Sequence, residues 1–376
     1  MTNLTLDIAA SEAAVTTAQP ESPATTRKTT ASATAAESKP NESRGSIVSK
    51  FLRANSRSKE TKTIVVLAVA AIALTILLLA WGNPMPLGSR GFWLIAKLRV
   101  TNILIIALVS FAQASATVAF QTVTGNRILT PSIMGFEALY KVVQTSAIYF
   151  FGIAGLDYLI GLPSFLLQIC LMVGLAVLLY GWLLSDRLGD LPTMLLIGIV
   201  IGGGLGSIAT FMQRLLSPSE FDVLTARMFG SLTNAQTEYL PVSYLICAVA
   251  GYALWRKTRK LDVMALGKDV STNLGIRHRR ETLEVLLLTA VLMSVSTALI
   301  GPLTFFGFLV ATLSYQFAKN EHRHILPIAT LIGYVTLTGA YFLMQHVFYA
   351  QGVVGIIIEL FGGAVFLLVL LRKGRL

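Results

Sequence analysis

The sequence predicts an all-α integral membrane protein of about ten transmembrane helices, with N and C termini cytoplasmic, preceded by a disordered polar tail. Three observations predict it. Of 376 residues, 54% are hydrophobic and only 13% charged, with a mean hydropathy of +0.69, where a soluble domain carries roughly 25% charged residues. Apolar runs near the length that crosses a bilayer, about 17–25 residues, recur ten times. Threading the chain through ten spans puts 24 of the 30 Lys and Arg residues on one side and 5 on the other, and the richer side is cytoplasmic. The net charge of +11 would suggest a nucleic-acid partner for a soluble protein. Here it reports topology, and no nucleic-acid partner is expected.

Residues 1–62 are rich in Ser, Thr and Ala, carry nine basic residues against six acids and have no apolar period. Such a composition cannot bury a core and is expected to stay disordered. The stretch is too long for the charged region of a signal peptide. Spans follow near Ile64–Trp81, Ile103–Val123, Ala138–Gly155, Leu166–Leu184, Met194–Met212, Leu240–Leu254, Leu283–Ile300, Thr304–Phe317, Ile325–Met344 and Val354–Leu371. In lipid the backbone must satisfy its own hydrogen bonds, so these runs are helices. Cys170 and Cys247 lie inside apolar runs and are expected to be small buried hydrophobes, without a disulfide or metal.

The chemistry of an enzyme is missing. No G-x-x-x-x-G-K-[ST] phosphate loop, H-E-x-x-H or G-x-S-x-G occurs, so the chain is not expected to hydrolyse ATP by itself. His322, Arg323 and His324 beside Glu321 read as a solvated interfacial turn. Only Glu137, Lys141 and Glu359 are charged within a span or at its edge, and such residues are functional candidates because lipid penalises them. Glu137 and Lys141, four apart, share a helix face. They read either as a self-neutralising ion pair near the cytoplasmic end of the third span or as part of a translocation path. Glu359 faces an aqueous cavity or pairs with another helix. Gly202, Gly203, Gly204 and Gly206 in the fifth span allow close helix approach or a flexible, pore-facing helix. Ser185, Asp186, Arg187 and Asp190 form the turn before that span.

One sizeable internal loop remains, residues 256–282. Leu261, Met264, Ala265 and Leu266 form an apolar face on a short helix that Gly267 can stop. Asp269, Val270, Asn273 and Leu274 suggest a second, stopped by Gly275. Two short helices between basic flanks read as a docking knob; the plainer reading is a basic loop on anionic lipid.

The knob LDVMALGKDVSTNLGI resembles the loop L-D-x-L-x-L-G-x-x-x-A-x-x-L-G-V of the FecCD family of ABC-transporter permeases, which includes vitamin B12 and iron–siderophore importers. It matches at Leu261, Asp262, Leu266, Gly267, Leu274 and Gly275 and departs at Met264 and Ser271. ALIGPLTFFGFLVATLSYQF is similar to the family stretch A-G-P-I-x-F-V-G-L-x-x-P-H at Gly301, Pro302, Phe305 and Gly307, with Ala311-Thr312 in place of Pro-His. FQTVTGNRILTPSIMGFEALY resembles Q-x-x-x-R-N-P-L-A-x-P-x-x-L-G at Gln121, Thr124, Asn126, Leu129, Pro131 and Gly135, and its wording is closest to the ferric siderophore branch. The last span also follows the family. The resemblance covers about residues 85–376.

The resemblance implies a permease domain over residues 63–376 of an importer that moves a ferric siderophore by ATP-driven alternating access. It implies two ABC ATPase subunits docked on the knob, a second permease subunit, paralogue or identical copy, and an extracytoplasmic substrate-binding protein. No cofactor is expected on this chain; ATP and Mg belong to the ATPase. Leu261, Asp262, Leu266, Gly267, Leu274 and Gly275 would form the ATPase-coupling loop. Arg90, Lys97 and Arg99 would dock the binding protein, although Lys97 and Arg99 could equally anchor a helix at lipid phosphates. Glu137, Lys141, Ser185, Asp186, Gly204 and Glu359 are the pathway or gate candidates. The rival class is an ion-coupled secondary transporter using Glu137 and Glu359 as coupling carboxylates. It leaves the basic knob unexplained.

Overall fold

The apolar runs are helices, each closing its backbone hydrogen bonds within itself. The computed structural model describes residues 42–81, 88–154, 161–183, 191–232, 235–318, 321–347 and 354–373; the side chains of 42–58 and of some other helical residues are outside that description. The helices are α1 Glu42–Ala80, α2 Arg90–Thr124, α3 Phe136–Phe151, α4 Leu162–Leu183, α5 Leu191–Gln213, α6 Pro218–Met228 and α7 Leu240–Arg256. They continue with α8 Thr258–Met264, α9 Lys268–Asn273, α10 His278–Ile300, α11 Phe306–Phe317, α12 His322–His346 and α13 Val354–Lys373. Ten apolar helices fall on the ten expected spans. Among the described residues, six helices are long and apolar enough to cross a membrane on length and composition alone. Residues 51–376 form one packed unit.

Two starts differ from the expectation. α1 opens at Glu42, so residues 42–62, assigned above to the tail, are helical; residues 1–41 lie outside the described residues. The stretch contains no proline, and its Lys, Arg, Glu and Ala residues tolerate helix well. Extending an existing helix costs far less than nucleating one. α2 opens at Arg90, thirteen residues before the expected span, because Ser89 caps it: the Ser89 hydroxyl accepts a 3.2 Å hydrogen bond from the Phe92 N–H.

α2 is the centre. In its apolar window 78% of residues are buried, against 11% for α1, and it packs on α10, α12 and α11. Small buried residues, Ala112, Ala114, Ser115, Ala116 and Ala119, let neighbours approach closely. Gly307 at the start of α11 shows how closely: a Cβ there would collide with the Thr117 side chain.

α1 lies at the periphery and presents Val65, Val66, Val69, Ile72 and Ile76 outward. Polar contacts fasten it at three depths. Glu60 Oε2 lies 3.2 Å from His324 Nδ1, and Thr75 Oγ1 shares a 2.7 Å hydrogen bond with the Tyr334 hydroxyl. At its C-terminal end, Arg99 donates to the carbonyls of Leu78, Leu79 and Trp81 at 2.9, 3.1 and 2.8 Å.

The end of the bundle that carries α8 and α9 is here termed the knob end. At the opposite, far end α6 starts with a capping box: Ser217 Oγ accepts from the Glu220 N–H, and Glu220 accepts from the Ser217 N–H. The backbone and then the hydroxyl of Ser217 hold the Glu220 carboxyl below its usual value. After α6 the chain leaves through an extended Phe229 to Gly230 and Ser231. The Ser231 N–H donates to the Ile300 carbonyl and the Gly355 N–H to that of Gly230, both at 2.9 Å. This strap ties the end of α10 to the start of α13.

Between α2 and α3 the chain does not stay at the knob end. A 3-10 turn, Pro131–Met134, and Gly135 at φ 99° fold inward until Gly135 rests on the backbone of Gly202, midway along α5. Irregular backbone is tolerated at such depth when protein buries it, and Thr130, Ser132 and Met134 are buried.

Candidate functional site

The knob is built as two short helices with glycine stops. α8 ends before Gly267 at φ 103° and α9 before Gly275 at φ 84°. A Cβ at either glycine would meet nothing within 4 Å, so only the left-handed backbone demands glycine there.

The apolar residues of the knob divide into two sets. Leu261 and Met264 are buried in the apolar core, so they hold the knob to the bundle. Leu266, Val270 and Leu274 are 62%, 44% and 61% exposed, a row of apolar side chains facing away from it. Exposed apolar residues that recur on one short segment are a candidate surface for a partner.

Ion pairs fix the near side of the knob. Lys257 Nζ lies 2.5 Å from both Glu281 Oε2 and Glu284 Oε2, Lys260 pairs with Glu281, and Arg280 Nε lies 2.9 Å from Glu284. The lysine pairs join the start of α8 to the first two turns of α10, and Arg280 holds Glu284 within α10. Burial by itself would lower the Lys257 ammonium, but the hydrogen bonds and charges of Glu281 and Glu284 outweigh it and raise its pKa above the ordinary lysine value. Within α9, the buried Ser271 hydroxyl donates to the Lys268 carbonyl at 2.9 Å and lies 2.7 Å from His278 Nδ1.

Asp262 reaches in the other direction. Its Oδ1 accepts from the His322 N–H and lies 2.7 Å from His322 Nδ1 as well. His322 is 3% exposed, so the solvated turn read from the sequence is corrected: α8 and α2 cover it. Its Nε2 is 2.6 Å from Thr122 Oγ1, at the end of α2. Sequence reading had Asp262 but missed His322 and Thr122. The signal available was that Asp262 and Asp269 are the only acids among residues 256–280.

The three cations expected to meet a binding protein also divide. Arg90 and Lys97 are exposed on the first turns of α2. Arg99 is buried, its guanidinium spent on the α1 carbonyls. This corrects its reading as a docking or lipid-anchoring residue: α2 starts early enough to turn that position inward.

Glu137 and Lys141 make no ion pair, and they do not lie at the knob end, because the inward turn before α3 starts that helix at mid-depth. Glu137 Oε2 accepts a 2.8 Å hydrogen bond from Thr304, in the loop after α10, while its Oε1 is buried without a partner. A cavity of about 300 Å³ is lined by Glu137, Lys141, Thr210, Thr225, Thr304 and Glu359. Of the fifth-span glycines, Gly202 packs on Gly135, while Gly204 has open space beside it. Lys141 with Gly203, Gly206, Ser207 and Arg214 borders a second, open cavity of about 520 Å³. Ser185 and Asp186 lie outside the described residues. Cys247 is buried and free; Cys170 is free but exposed on α4, a correction to its expected burial.

Comparison with known proteins finds relatives in sequence and in fold. The model of the FecCD transport family matches residues 63–372. The petrobactin import system permease protein FatC of Bacillus anthracis is 48% identical over 323 residues, 85% of this chain and 91% of FatC. The petrobactin import system permease protein YclO of Bacillus subtilis is 36% identical over 278 residues, 74% of this chain and 88% of YclO. Among solved structures, an inward-facing metal-chelate type ABC transporter has the same fold, with a TM-score of 0.71 at 19% identity over 83% of this chain and 99% of its own.

Proposed function

As this chain belongs to the FecCD transport family, we propose that it is the permease subunit of an ATP-driven importer that carries a ferric siderophore of the petrobactin kind across the cytoplasmic membrane. Supporting the substrate class is the 48% identity to a petrobactin import permease. The observation that carries the mechanism is the knob: an open apolar row, Leu266, Val270 and Leu274, on a platform locked to the bundle from behind.

In this reading the knob end faces the cytoplasm, in keeping with the eight basic residues at 256–280. Two ATPase subunits, which hold ATP and Mg, dock on the knobs of this chain and of a second permease subunit. ATP-driven closure of the ATPases displaces the knobs, and the bundles switch the path between its two openings. A substrate-binding protein delivers the chelate at the far end, where Arg90 and Lys97 stand exposed to meet acidic residues. The polar cavity at Glu137, Lys141 and Glu359 and the open face at Gly204 belong to the path.

The test is reconstitution of the permease pair with ATPase and binding protein in proteoliposomes, with uptake of radiolabelled ferric petrobactin measured against ATP hydrolysis. Uptake that requires ATP and the binding protein is the expected result. Uptake that follows a pH gradient without ATP would replace this reading with an ion-coupled transporter.

A further inference from the structure

We propose that His322 is a positioning residue that carries displacement of the knob into two central helices at once, α2 and α12. The inference deepens the permease reading and rests on it. A knob that moves must pull on something. The Lys257–Glu281–Glu284 cluster ties it to α10, the helix it leads into along the chain. His322 ties it to helices that are distant in sequence.

The geometry is specific. His322 is the first residue of α12, and Glu321, at the cap position, makes no side-chain capping bond. Asp262 supplies the cap from another element: its Oδ1 takes the N–H at the start of α12, where a helix favours negative charge. The same oxygen holds Nδ1, and since a carboxylate only accepts, Nδ1 carries the hydrogen. That leaves Nε2 to meet Thr122 in the last turn of α2, whose hydroxyl also reaches the Val118 carbonyl at 2.8 Å. One ring thus spans three elements through both its nitrogens. Here both nitrogens bond to side chains of other elements, one of them on the part of the chain that docks the ATPase.

The test uses the complete transporter in proteoliposomes, with ATP hydrolysis and uptake of radiolabelled ferric petrobactin measured together. Wild type comes first: without ATP-dependent uptake the permease reading falls, and the inference with it. Thr122→Val then removes the outer bond, together with the hydroxyl's own contacts to the Val118 carbonyl and Tyr315, and leaves the Asp262 pair in place. It should lower uptake per ATP hydrolysed by about threefold or more, the range of coupling networks, with binding-protein-stimulated hydrolysis within about twofold of wild type. His322→Gln should lower the ratio at least as far, and adding Thr122→Val to it should cost nothing more, since both break one connection. An unchanged ratio in Thr122→Val, or hydrolysis and uptake falling in parallel, would overturn the inference in favour of a packing role. Thr122→Val decides alone if His322→Gln does not assemble.

Discussion

Asp262 and His322 are 60 positions apart, yet one carboxylate oxygen of Asp262 lies 2.7 Å from both the backbone nitrogen and Nδ1 of His322. Replacing Asp262 by Ala strands two buried donors. The cost is about 1–3 kcal/mol, to be read as a lower thermal midpoint of the purified chain in detergent. Asp262→Asn keeps an acceptor at the same place and should lose less than half as much. Equal losses for the two variants would mean that the hydrogen bonds contribute little.

Leu274 makes the opposite prediction. It is exposed, so Leu274→Glu should leave the midpoint nearly unchanged, within about 0.5 kcal/mol. It should reduce copurification of the ATPase by at least about tenfold, as expected for an apolar contact residue in a docking surface. Retained binding would exclude the Leu266–Val270–Leu274 row as the contact.

The Lys257 cluster is predicted to be insensitive to pH across the physiological range. Its two carboxylates raise the lysine pKa. A raised pKa means that the contribution is fully present below the unfolded value, about 10.4, and is lost only as pH climbs through the higher folded value. Hydrogen exchange of α8 amides should therefore show no loss of protection attributable to this group between about pH 6 and 9. Lys257→Gln leaves Glu281, whose side chain is 12% exposed, without its best partner. It should cost roughly 1–2 kcal/mol, below the figure for a fully buried pair because water reaches the cluster.

Arg99 and Lys97, two positions apart on α2, should behave differently. Arg99→Ala releases three carbonyls at the end of α1 and should destabilise by roughly 2–3 kcal/mol, as for hydrogen bonds to a charged donor, with little effect on binding-protein affinity. Reversing the charges of Arg90 and Lys97 should spare stability and weaken binding-protein docking. That effect should be larger at low salt, where screening is weakest. Titration of the binding protein at two ionic strengths separates the cases; unchanged docking at low salt would remove Arg90 and Lys97 from the contact.

The spans were legible because each is a self-contained apolar run, and the knob because Gly267 and Gly275 punctuate it. Three features were not legible, each for its own reason. The depth of Glu137 depends on Gly135 meeting Gly202, a contact 67 positions apart that no local pattern announces. The inward turn of Arg99 follows from the helix start at Ser89, and a span drawn only from hydropathy begins too late to include it. His322 looked solvent-facing among Glu321, Arg323 and His324, because its partners Asp262 and Thr122 belong to other elements. The resemblance in the knob named Leu261 and Leu274 together but could not say that Leu261 is buried in the bundle and Leu274 exposed.

The three polar fastenings of α1 set how that helix can change over evolutionary time. Glu60, Thr75 and the carbonyls held by Arg99 fix its position beside a narrow inner stripe of Ile64, Leu67, Ala71 and Leu78. Val65, Val66, Val69, Ile72 and Ile76 are exposed, and a lipid environment accepts any side chain of similar hydrophobicity. Substitutions should accumulate freely on that outer stripe in descendants of this sequence, while the fastening points and the crowded small residues of α2 stay put.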